Sequence, residues 1–99
     1  MTHSADLVET VRIASAHPAL PGHFPGHPIV PGVVLLDRIA AALERAGDGR
    51  LARIGAVKFL APLLPDEDAE LRIERDGTRV RFRIDRGDVA ILRGEGELA

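Results

Sequence analysis

His23 and Asp37 are the two residues of this chain whose types and setting point to chemistry. They bracket the stretch "HFPGHPIVPGVVLLD", fourteen residues apart. His23 is fixed between Gly22 and Phe24, and Asp37 follows the apolar run Val33, Val34, Leu35 and Leu36. An imidazole changes protonation near neutral pH, which suits a general base. A carboxyl desolvated among Val and Leu side chains is driven toward its protonated form and becomes a proton donor. Each residue also has a plainer reading. His23 alone would pass for a loop histidine bonded to backbone, and Asp37 alone for an acid placed near a helix N-terminus by the dipole.

The elements that must position this pair follow from the pattern on either side. His17 to Pro31 is interrupted by five prolines and cannot be helical, so it is an extended loop whose shape is set in advance. Pro31 then suits the first position of a helix, where a missing N–H costs nothing. Val33 to Ala46 is apolar except for Asp37, Arg38, Glu44 and Arg45, with Leu36, Ile39, Ala40 and Leu43 as a helical stripe. Val34 and Leu35 extend the apolar surface most of the way round, which predicts a buried helix. Gly47 to Gly49 ends it.

The rest of the sequence reads as strands. Val8 to Ala14 alternates, with Val11 and Ile13 on one face and Thr10 and Arg12 on the other. Leu51 to Leu60 is a second strand, followed by the Pro62–Pro65 corner. Leu71 and Ile73 alternate with Arg72 and Glu74, and Asp76-Gly77 signals a hairpin. Val80, Phe82 and Ile84 alternate with Arg79, Arg81, Arg83 and Asp85, a strand wet on one face. Arg86-Gly87-Asp88 is another turn, and a last strand runs from Val89 to about Glu97. The expected class is α+β: a single domain over residues 1–99, with one buried helix and a mostly antiparallel sheet curled around it.

Composition narrows the functions. Hydrophobic content of 45% in 99 residues fits one folded domain. A net charge of −2, three Phe and no Trp or Tyr argue against nucleic-acid binding. Absent cysteines exclude thiolate metal sites and a Cys nucleophile, and fit the cytoplasm. No signal peptide is expected from Met1 to Leu7, and no apolar run is long enough to span a bilayer. His17, His23 and His27 share no helical face and have no Cys or nearby carboxylate, so no metal site is expected.

At His23–Asp37 the sequence resembles the 3-hydroxyacyl-acyl-carrier-protein dehydratases, a hot-dog-fold family with a curved antiparallel sheet around one long helix. His23, Phe24, Gly26, Pro28, Pro31, Gly32 and Asp37 fall on the family's spaced pattern. "VKFLAPLLPDEDAEL" continues the likeness through Phe59, Pro62 and Pro65. Ala41, where the family commonly has Gln, and Arg38, where a small residue is usual, are departures that bear on substrate choice and rate.

The resemblance implies removal of water from a carrier-protein-bound 3-hydroxyacyl thioester in fatty-acid, polyketide or polyene synthesis. His23 would take the C2 proton and Asp37 would protonate the leaving 3-hydroxyl. The backbone N–H of Gly32 would face the developing thioester oxyanion, aided by the helix dipole. No cofactor or metal is called for. The resemblance further implies a homodimer whose two sites are shared between protomers, with a tunnel for the acyl chain; Phe24 and Phe59 are candidates for its wall. Arg38, Arg45, Arg50 and Arg53 are candidates for docking an acidic carrier. A hot-dog thioesterase and a non-catalytic dimer that binds acyl carriers are the competing readings.

Overall fold

The computed structural model describes residues 6–18 and 29–99. Their elements in chain order are β1 (Asp6–Val11), α1 (Gly32–Arg45), β2 (Leu51–Phe59), β3 (Ala69–Asp76), β4 (Arg79–Arg86) and β5 (Val89–Leu98). The five strands form one antiparallel sheet in the order β1-β3-β4-β5-β2. This is the α+β arrangement expected from the sequence.

Alternation explains the sheet. In β4, Val80, Phe82 and Ile84 are buried, while Arg79, Arg81 and Arg83 between them are exposed. β3 repeats the pattern with Ala69, Leu71 and Ile73. These inward residues and Val34, Leu35, Ile39, Ala42 and Leu43 of α1 form one buried cluster, so the sheet faces the helix across a continuous apolar core. No polar or charged side chain among the described residues is buried. None of their helices is long and apolar enough to cross a membrane.

The ends of α1 show how local sequence sets its length. Pro31 is not the first helical residue but the N-cap, with ψ 142° still extended, and Gly32 opens the helix. The Val34 N–H donating to the Pro31 carbonyl at 3.0 Å closes the first turn. At the other end Gly47 takes φ +77°, a region costly for a residue with a Cβ. The Asp48 N–H then reaches the Leu43 carbonyl and the Gly47 N–H the Glu44 carbonyl, each at 3.0 Å, satisfying two orphan acceptors.

Two expectations need correction. β1 stops at Val11 rather than Ala14, because its partner β3 begins at Ala69, opposite Val11. Ile13 is nonetheless fully buried, and its carbonyl accepts the Asp66 N–H at 2.8 Å. The helix, expected to be buried on nearly every side, is buried on one. Val33 is 62% exposed and Leu36 half-buried, because the sheet covers only the opposite face.

β2 departs most from the rest. It is an edge strand, paired only to β5 among the described strands, with register shifts along its length. Seven of its nine residues are exposed, so both its faces lie open.

Candidate active site

The site is built where the end of the proline-rich loop meets the Pro62–Pro65 corner. The Val30 N–H donates to the Leu63 carbonyl at 2.9 Å, and both side chains are buried. The corner is itself held. Asp66 adopts φ +65°, uncommon for a residue with a Cβ. Its carboxylate accepts the Ser15 N–H at 3.2 Å, and its own N–H donates to Ile13. Glu67 accepts the Leu64 N–H at 2.9 Å and pairs with Arg86 at 3.2 Å, and Arg86 also donates to the Pro62 carbonyl. The Val30–Leu63 bond thus ties the residues that lead into α1 to this braced corner.

Gly32, the first helical residue, sits at the positive end of the helix dipole. The N-terminus has no side-chain cap and no acid in its first turn, so nothing of this kind competes with an anionic oxygen there. Phe59 of β2 lies against Gly32. A Cβ at position 32 would stand 2.6 Å from the Phe59 ring carbons Cε1 and Cζ, which explains the glycine by close approach rather than by an unusual φ. Beside this contact opens a cleft of ≈ 430 Å³ lined by Ile29 to Gly32, Leu35 and Phe59 to Leu63. Its walls are apolar side chains with the helix N-terminus at one side. That combination suits an apolar chain whose carbonyl oxygen points at backbone N–H groups.

The structure brings Gly32 and Phe59 together. Phe59 is 54% exposed, so it is a wall of the cleft rather than a core residue. Asp37 does not line this cleft. It lies on the exposed side of α1, four residues on from exposed Val33. The expected desolvation by neighbouring Val and Leu is not supplied within one chain, because Val34 and Leu35 turn to the core and Leu36 is only half-buried. A helix-dipole role also falls away: Asp37 is the sixth residue of α1, beyond the first turn where that effect acts. His23 and Phe24 lie outside the described residues.

The four docking arginines are not equivalent. Arg45 pairs with Glu9 of β1 at 2.6 Å, and Arg53 of β2, the opposite edge of the sheet, pairs with Glu97. Arg38 donates to the Arg12 carbonyl at 3.4 Å, while Arg50 is exposed just before β2. Among the described residues no group of His, Cys, Asp or Glu gathers in a way that would hold a metal ion. The sequence reading missed Leu35, Leu60 and Leu63 as cleft walls. The available signal was the "FLAPLL" run, apolar yet flanked by prolines and too broken to be a core strand.

Comparison with known proteins bears on the family and the fold. The family model described as ApeI-like, ApeI dehydratase, matches residues 2–95. The 3-hydroxyacyl-acyl-carrier-protein dehydratase FabZ of Thermus thermophilus is 36% identical over 83 residues, covering 79% of this chain and 47% of that protein. The FabZ of Haemophilus influenzae strain PittEE is 38% identical over 74 residues, covering 64% and 49%. The chain thus spans about half the length of these relatives. Among solved structures, the dehydratase heterocomplex ApeI:P from Xenorhabdus doucetiae matches at a TM-score of 0.83 and 25% identity, covering 96% of this chain and 86% of that one. An (R)-hydratase from A. caviae involved in PHA biosynthesis matches at a TM-score of 0.75 and 18% identity, covering 100% and 98%, and speaks for the fold alone. The fold is the hot-dog fold, and with a family model matched along nearly its whole length, the chain belongs to the ApeI-like dehydratase family.

Proposed function

We propose that this chain dehydrates a 3-hydroxyacyl thioester, carried on an acyl carrier protein, to the trans-2-enoyl thioester. The observation that carries the reading is the apolar cleft beside the uncapped helix N-terminus at Gly32. It offers a place for an acyl chain with its thioester oxygen at backbone N–H groups. His23 takes a proton from C2, and the electron pair forms the C2–C3 double bond. The C3–O bond breaks as Asp37, protonated, gives its proton to the departing hydroxyl, which leaves as water. Gly32 N–H stabilises the charge passing through the thioester oxygen. Carrier-bound substrate is what the names of the FabZ relatives state for those proteins. The supplying carrier would decide between fatty-acid, polyketide and polyene synthesis.

The working unit is a dimer with shared sites. Support comes from the two surfaces left open in one chain: β2, and the face of α1 that holds Val33 and Asp37. A second chain covering both would desolvate Asp37 and set it opposite the partner's copy of the proline-rich loop. The partner in this reading is a second copy. The solved ApeI:P complex is a heterocomplex by name, which makes a different hot-dog chain the alternative. The test is incubation with 3-hydroxyacyl and saturated acyl thioesters. Enoyl product from the first is expected. Free thiol from the second would instead indicate a thioesterase, and neither product would leave a binding dimer.

A further inference from the structure

The Phe59 ring occupies the space in which any side chain at position 32 would stand. Its Cε1 and Cζ atoms lie 2.6 Å from the point that a Cβ on Gly32 would take. Non-bonded carbons rest about 3.5–4.0 Å apart, so the gap between ring edge and helix backbone holds no further carbon atom. The backbone behind the ring is tied to β5. Phe59 pairs with Leu92, and the Leu60 N–H donates to the Ile91 carbonyl at 2.8 Å. Ile91 and Leu92 are both fully buried. On the other side, the Val30–Leu63 bond holds the chain that leads into Gly32. Both walls of the contact therefore hang on buried parts of the fold.

This contact stands where the reacting carbons of the proposed substrate lie. The inference rests on the dehydration reading above. With the thioester oxygen at the Gly32 N–H and the acyl tail in the cleft, C2 sits between the two, beside the edge of the ring. Four groups surround C2. One is the thioester carbonyl, held at the helix. One is C3, which carries the tail into the cleft. One is the hydrogen that the base removes. The fourth faces the wall that Phe59 and Gly32 make. Hydrogen fits there and a methyl group does not, because that wall has no room for one more carbon.

We propose that Phe59 is a specificity-determining residue, whose ring confines the protein to acyl thioesters unbranched at C2. It turns away 3-hydroxy-2-methylacyl thioesters, whose one remaining C2 hydrogen would otherwise allow the same elimination. One methyl group in an apolar pocket is worth about 10–200-fold in kcat/KM.

The test compares 3-hydroxyhexanoyl pantetheine with 3-hydroxy-2-methylhexanoyl pantetheine, the second as its separate C2 epimers. The unmodified protein is expected to favour the unbranched thioester by about 10–200-fold in kcat/KM. F59A should lower that ratio at least about tenfold. Where F59A does not melt cooperatively, F59L serves, because leucine lacks the two ring atoms that meet position 32 and keeps much of the remaining bulk. L64A, on the same corner but outside the cleft, should leave the ratio unchanged. A ratio of two substrates on one protein does not depend on how much of that protein is folded or paired. Binding is read separately, as the rise in melting temperature with hexanoyl and 2-methylhexanoyl pantetheine, which have no 3-hydroxyl to lose. Selective binding of the unbranched thioester, relaxed in F59A, without turnover of any hydroxyacyl compound supports the specificity and overturns the dehydration reading. Equal turnover of branched and unbranched substrates, equal binding where there is no turnover, or a ratio unchanged in F59A and F59L overturns the proposal. Absence of both turnover and binding overturns the two together.

Discussion

β4 and β2 flank the same strand, β5, yet they are composed on different terms. In β4 the inward residues Val80, Phe82 and Ile84 are at most 2% exposed and arginines fill the alternate positions. In β2 no such division exists; Ile54 is 41% exposed and Phe59 54%. The contrast recurs on α1, where Leu35 and Leu43 are buried and Val33 and Asp37 face outward. β4 and the inner face of α1 are complete within one chain. β2 and the outer face of α1 stay open in one chain, and they are the two surfaces that the proposed dimer would cover. Long exposed edge strands are ordinarily blunted, and this one leaves Ile54 and Phe59 exposed.

The largest expected effect separates the two regions by function. His23→Ala and Asp37→Asn should each lower dehydratase turnover by about 10²–10⁴-fold, the usual cost of one positioned proton-transfer group. Circular dichroism and melting temperature should change little for Asp37→Asn, because Asp37 contributes nothing to the buried core. Undiminished turnover in either variant would assign the residue to structure.

Next in size is a pair of changes across the comparison. Leu43→Ala, in the completed region, should cost about 2–5 kcal/mol of unfolding free energy, as removing a fully buried leucine does. Ile54→Asp, in the open region, should leave the secondary structure in place and shift the proposed dimer toward monomer, read by analytical ultracentrifugation at micromolar concentration. Equal loss of folding in both would erase the distinction between the regions.

A smaller effect sharpens the junction between them. Gly32→Ala should force the Phe59 ring aside, with a stability loss of about 1–3 kcal/mol from overpacking. Combining it with Phe59→Ala should cost less than the two losses added, because the clash is then gone. Additive losses in denaturant titrations would show that the ring does not press on this glycine.

What was legible in the sequence follows the same line. The hairpins at Gly77 and Gly87 and the alternation of β3 and β4 were readable because a period of two reports one buried face of one chain. The helix was readable in its extent to within a residue at each end. Its surroundings were not: Val33, Leu36 and Asp37 sit in a run that looks uniformly buried, and periodicity cannot say which side is covered by the same chain. The Val30–Leu63 tie and the Asp66 φ are tertiary facts with no local code. Asp37 stood out as a lone acid in an apolar run, while the roles expected of Gly32 and Asp37 rest on resemblance rather than on pattern.

The central claim is that each site takes His23 from one chain and Asp37 from another. Equal amounts of the inactive His23→Ala and Asp37→Asn proteins are unfolded together, refolded and assayed. A mixed dimer has one site with both defects and one with neither. With random pairing about half the dimers are mixed, so activity should return to about a quarter of the unmodified level under two-fold symmetry. If the chains demonstrably exchange and no activity returns, the two residues do not meet across a dimer and the account fails.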